Sequence, residues 1–128
     1  MELPDTVLED VDWSFVGGVR SSFESFCQSV RQDQLDIEGN DSWDPAVIVL
    51  PVQRVSIIYK PHPFEDDEVV NLAAKAESGF SAGELLFKLH NSVVEDLEDR
   101  DHHFFEGLTL NSWPVAQALA VYVMRLGS

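Results

Sequence analysis

The chain is poor in bases, nearly free of cysteine and without any long apolar run. Eight Lys and Arg stand against 23 Asp and Glu, a formal net charge of −15. A surface of that sign repels nucleic-acid phosphates and anionic membranes, so direct binding to either is not expected. A basic protein surface or a metal cation is attracted instead. The single cysteine, Cys27, excludes an intramolecular disulfide and any multi-cysteine zinc site. It falls among apolar neighbours with no base nearby, which points to burial and not to a nucleophile. No segment approaches the roughly eighteen apolar residues of a membrane span. The opening MELPDTVLEDVDW has neither the basic start nor the apolar core of a secretory signal. The expectation is a soluble cytoplasmic protein in a reducing compartment.

Catalytic signatures are missing as well. GxSxG, GxGxxG, GxxxxGK[ST] and HExxH do not occur, and no carboxylate pair stands out from the many. What is present is enough apolar material for a core: 45% hydrophobic residues with three Trp, eight Phe and two Tyr in 128 residues.

The clearest element lies within FSAGELLFKLHNSVVEDLEDRDHHFFE, residues 80–106. Ser81 and Glu84 have capping-box spacing, and Phe80 and Leu85 have that of a hydrophobic staple. Leu85, Leu86, Leu89, Val93 and Leu97 then recur every three or four residues, which predicts an amphipathic helix over 82–98. An earlier helix follows from Phe15, Val16, Val19, Phe23, Phe26, Cys27 and Val30, ending near Arg31. Gly17 and Gly18 weaken its start, and Ser21 with Glu24 offers a later one. QDQLDIEGNDSWDP reads as a polar loop anchored by Trp43. Its Asp36, Glu38, Asn40 and Asp41 only faintly match a calcium loop, with the glycine misplaced. AVIVL and VQRVSIIYK read as strands broken by Pro51, and PHPFEDDE as an exposed connection. EVVNLAAKA is expected to return as a hairpin strand. A strand from His103 to Leu110 has Gly107 as its bulge. A short helical turn near Pro114 precedes a last strand at 120–126. The fold class is α+β: residues 1–12 an acidic N-terminal arm, residues 13–128 one domain. That domain is a mostly antiparallel sheet of about four or five strands with two main amphipathic helices packed on it.

One feature runs against helix physics. The macrodipole favours bases at a helix C-terminus, yet this one ends in Glu95, Asp96, Glu98 and Asp99, with Asp101 beyond and only Arg100 opposing them. A fold gains nothing from this arrangement, so either the helix frays early or the charge serves a partner. These five acids are the expected partner-binding site of a non-enzymatic domain that engages a basic protein. Immunity proteins, antitoxins and chaperones follow that logic as classes. The alternative is a metal-binding protein or metal-dependent enzyme using His90, His102, His103 and Glu106, with a divalent ion as cofactor; otherwise no cofactor is expected. His90, on the edge of the apolar stripe, also suits a hydrogen-bonded core histidine. A homodimer through a terminal strand or hairpin edge is a further expectation. Acids concentrate in segments 33–44, 65–68 and 95–101, and their convergence would make one anionic face.

Overall fold

The computed structural model describes residues 3–40, 42–111 and 120–127. Among the described residues eight strands and two helices follow in the order β1 (Thr6–Val7), β2 (Trp13–Ser14), α1 (Phe23–Glu38), β3 (Ile48–Leu50), β4 (Arg54–Tyr59), β5 (Glu68–Ala73), β6 (Phe80–Ser81), α2 (Ala82–Leu97), β7 (Phe104–Leu110) and β8 (Ala120–Gly127). The fold is α+β as expected, with more strands than expected. β1, β7, β8, β4 and β5 run across the main sheet in that order, β2 also pairs with β7, and β3 and β6 form a small separate sheet. All pairings are antiparallel except β4 with β8.

Strand alternation decides which sheet face is covered. Val55, Ile57 and Tyr59 of β4 and Ala120, Tyr122 and Met124 of β8 are buried under the helices. The opposite face carries Ser56, Ile58, Val69, Val121 and Val123, all partly or largely exposed.

α2 forms where its periodicity places it. Leu85, Leu86, Leu89, Val93 and Leu97 have no exposed surface, and each buried leucine is worth about 1.5–3 kcal/mol of transfer free energy. Ser81 Oγ accepts from the Glu84 amide at 3.1 Å. The reciprocal half of the capping box does not form. The Glu84 carboxylate instead accepts from the Lys75 amide at 2.9 Å and pairs with Lys88 at 2.9 Å.

α1 departs from expectation at both ends. Gly17 and Gly18 both adopt left-handed backbone, at φ 84° and 72°, and break the apolar series. Phe15 is buried from an extended segment, while Val16, Val19 and Phe23 are exposed. The cap is Ser22 and not Ser21, its hydroxyl accepting from the Ser25 amide at 3.1 Å. The helix runs on to Glu38, so half of the expected loop is helical, because Gln34 takes a core position and satisfies its amide there. Cys27 is buried.

The β4–β5 hairpin, the break at Pro51 and the last strand lie where expected, and β7 shifts register between Phe105 and Leu108, around Gly107. The helical turn expected near Pro114 lies outside the described residues. Two residues of the expected arm pair in the sheet. Thr6 and Val7 pair with Thr109 and Leu108 of β7, and Val7, Leu8 and Val11 are buried. The Tyr122 hydroxyl donates to the Pro4 carbonyl at 2.6 Å, tying this segment to β8.

Candidate functional site

The five acids at the end of α2 divide by environment. Asp96 Oδ2 accepts from the Tyr59 hydroxyl at 2.9 Å, and its other oxygen pairs with Arg100 at 3.4 Å. Glu98 Oε1 accepts from the Gly18 amide at 3.2 Å. These two acids therefore serve the fold, which corrects the expectation that folding gains nothing from them, and the helix stays regular through Leu97. Glu95, Asp99 and Asp101 are exposed.

Arg100 straddles two acidic segments, bonding Glu65 at 3.1 Å as well as Asp96. Its side chain keeps 31% exposure, so solvent screens both pairs. Its main consequence is placement, because segments 65–68 and 95–101 become one acidic face. The third segment, 33–44, meets a different acidic stretch, residues 9–12.

That second meeting is built by one buried amide. Gln34 Oε1 accepts from the Asp12 amide at 2.9 Å, while its Nε2 donates to the Asp12 carbonyl at 2.7 Å and the Val30 carbonyl at 3.0 Å. With both ends satisfied, Gln34 is held in the core and clamps the N-terminal segment against α1. Between them lies a cleft of ≈ 470 Å³ lined by Glu9, Asp10, Val11, Asp12, Gln34, Glu38, Asn40, Ser42 and Trp43.

Among the described residues no base lines this cleft. Glu38 is raised from its ordinary value chiefly by the neighbouring Asp12 carboxyl, with burial and then the charge of Asp10 adding to it. Asp33 on the same helix is raised chiefly by burial and then by Asp36, with Arg20 opposing. Trp43 packs against the core, as its anchoring role requires. Its indole N–H is buried and has no hydrogen-bond partner among the described residues.

The histidines do not come together. His90 has no exposed surface. Its Nδ1 accepts from Trp13 Nε1 at 3.1 Å, which places the proton on Nε2, donating to the Gly18 carbonyl at 2.9 Å. Phe15 and Phe26 stack around the same ring. Burial, the largest influence, lowers its pKa from the ordinary 6.5; the Gly18 bond and Glu98 oppose this, and Arg20 adds to it. Both nitrogens are engaged, so no lone pair remains for a metal. His103 Nδ1 donates to the Arg100 carbonyl at 2.6 Å. His102 is half-buried, and Glu106, on β7, lies beside Gly127 of β8. Among the described residues no group of three or more His, Cys, Asp or Glu is placed to hold a metal ion. Among them, too, no helix is long and apolar enough to cross a membrane.

The described chain is thus an acidic α+β domain with one carboxylate-lined cleft and one separate acidic face. No family model, curated protein or solved structure matches it.

The residues that build the cleft escape a sequence reading for a definite reason. Asp12 and Gln34 are 22 positions apart, and their bonds use the Asp12 backbone, which carries no side-chain signature. Of the lining residues, Trp43 is visible in the sequence as an aromatic in a polar stretch, and Glu38 and Asn40 only through a faint match to a calcium loop.

Proposed function

We propose that this protein is a non-enzymatic acidic domain that binds a basic partner protein in the cytoplasm, with the cleft between residues 9–12 and the end of α1 as its anchor point. The observation that carries the reading is the cleft itself, where Glu9, Asp10, Asp12 and Glu38 line one concavity and, among the described residues, no base joins them. Carboxyls that share one cleft gain from a cation, and a guanidinium supplies several donors to them at once. The second face, with exposed Glu95, Asp99 and Asp101 beside segment 65–68, adds long-range attraction that raises the association rate.

An arginine-rich octapeptide titrated calorimetrically into the protein tests this. Binding should weaken steeply as salt rises from about 50 to about 300 mM, in line with screening lengths near 10 Å. Glu38→Arg should cost at least about tenfold in affinity, since it occupies the cleft with a cation of its own. Reversing Glu95, Asp99 and Asp101 together should mainly slow association. Equal affinity for wild type and both variants would dispose of the proposal.

A further inference from the structure

The hairpin strand β5 ends the main sheet, and the pattern of bonds around it shows which of its backbone groups are open. The Ala74 amide donates to the Gln53 carbonyl at 2.8 Å, in register with the pairing of Leu72 with Val55 and Val70 with Ile57. In an antiparallel ladder, bonded pairs alternate. Glu68, Val70 and Leu72 therefore turn their amides and carbonyls towards β4, while Val69, Asn71 and Ala73 turn theirs outward. Two contacts from α2 agree with this parity. Lys88 Nζ donates to the Ala73 carbonyl and Glu84 accepts from the Lys75 amide. One ion pair on α2 thus covers the far end of the edge. The amides of Val69, Asn71 and Ala73 and the carbonyls of Val69 and Asn71 are left facing outward, and among the described residues no strand pairs with them.

We propose that this open edge pairs antiparallel with the same edge of a second copy, across a two-fold axis at Val70, joining two sheets into one. Val69 of each copy then exchanges both bonds with Asn71 of the other, and the Ala73 amide donates to the Asp67 carbonyl. The edge is self-complementary in charge as well. It is acidic at one end, Glu65 to Glu68, and carries exposed Lys75 at the other, so antiparallel pairing brings Lys75 beside the partner's acids. Exposed Val69 lies on the open sheet face with Ile58 and Val123, and pairing sets it beside Asn71 of the other copy. Two chains of net charge −15 still repel overall, and exposed pairs such as Lys75 with those acids offset little of that because solvent screens them. Net repulsion dominates, so added salt strengthens the dimer, whereas it weakens binding to a basic partner. The opposite salt dependences make failure of one reading distinguishable from failure of the other.

Sedimentation velocity at about 100 µM protein, in about 50 and 500 mM NaCl, tests the association on either side of the screening length. A dimer fraction that grows with salt is expected. Val69→Pro should be monomeric, and because the lost amide faces outward no bond to β4 is removed. Val69→Lys, which places a charge at the new seam without altering the backbone, should be monomeric too. Hydrogen exchange supplies the specific readout: the amides of Val69, Asn71 and Ala73 gain protection with concentration, while Val70 and Leu72 are protected throughout. A wild type that stays monomeric in high salt overturns the proposal. So does a dimer whose Val69 and Asn71 amides exchange as fast as in the monomer.

Discussion

His90 gives the sharpest quantitative handle on the fold. It joins the N-terminal segment to α2 from a fully buried position, accepting from Trp13 and donating to Gly18. Replacement by Leu keeps most of the volume and deletes both bonds. The Trp13 indole N–H is then left buried and unpaired, which costs about 1–3 kcal/mol; Gly18, partly reachable by water, adds less. The proton linkage is separate and has a fixed sign. The folded state lowers the His90 pKa below its unfolded value of 6.5. Above 6.5 both states are neutral and the full stability is present. As pH falls below 6.5 the unfolded chain takes up a proton that the folded one refuses. Stability is lost at a ceiling of about 1.4 kcal/mol per pH unit, until the lowered folded value is passed. Urea unfolding of wild type and His90→Gln between about pH 7 and about pH 5 isolates this effect, because the carboxylates contribute equally to both. The wild type should lose stability more steeply on acidification, by up to one proton's worth of slope. Identical slopes would refute the assignment of a neutral, buried His90.

Two further outcomes follow from close contacts and from buried hydroxyls. Gly79 sits at φ +114°, and a Cβ there would come within 2.3 Å of the Leu50 carbonyl oxygen and 2.7 Å of Pro51 Cα. Both are backbone atoms that cannot swing away, so Gly79→Ala should cost about 3 kcal/mol or more in the denaturant midpoint, by separating β3 from β6. Both tyrosines should titrate well above the ordinary value of 10, followed by absorbance of the tyrosinate. Tyr122 is pushed up to about 12 by burial and then Asp5. Tyr59 is raised further by burial and then by its bond to Asp96, so Asp96→Asn should bring only Tyr59 down.

Much of the fold was legible because local and tertiary demands coincide in α2 and in the β4–β5 hairpin. Ser81 caps, the leucines repeat at helical spacing, and the strands alternate, so each element declares itself within a dozen residues. The misses share a different physics. Gln34 looks like a loop residue until Asp12 supplies its partners, and with it the last turns of α1 disappear from view. β1 and β2 are two residues long, too short for any period. Adjacent serines at 21 and 22 make a cap ambiguous by one position. At the end of α2, Asp96 and Glu98 looked unemployed because Tyr59 and Gly18 lie 37 and 80 residues away. The cleft was invisible for the same reason, being made of backbone bonds between distant segments.

The position of β8 governs how the molecule comes into being. Ala120–Gly127 follows every other described strand in sequence, yet it lies between β7 and β4 in the sheet. A chain emerging N-terminus first can close the β4–β5 hairpin and cap α2, but β7 then has no neighbour joining it to them. Until the last strand is inserted the nascent molecule is two fragments with open margins, one along β4 and one along β7. Long-range insertion of this kind is slow, and exposed margins invite promiscuous pairing. The eight residues of β8 therefore join the β4–β5 hairpin to β7 in a single sheet.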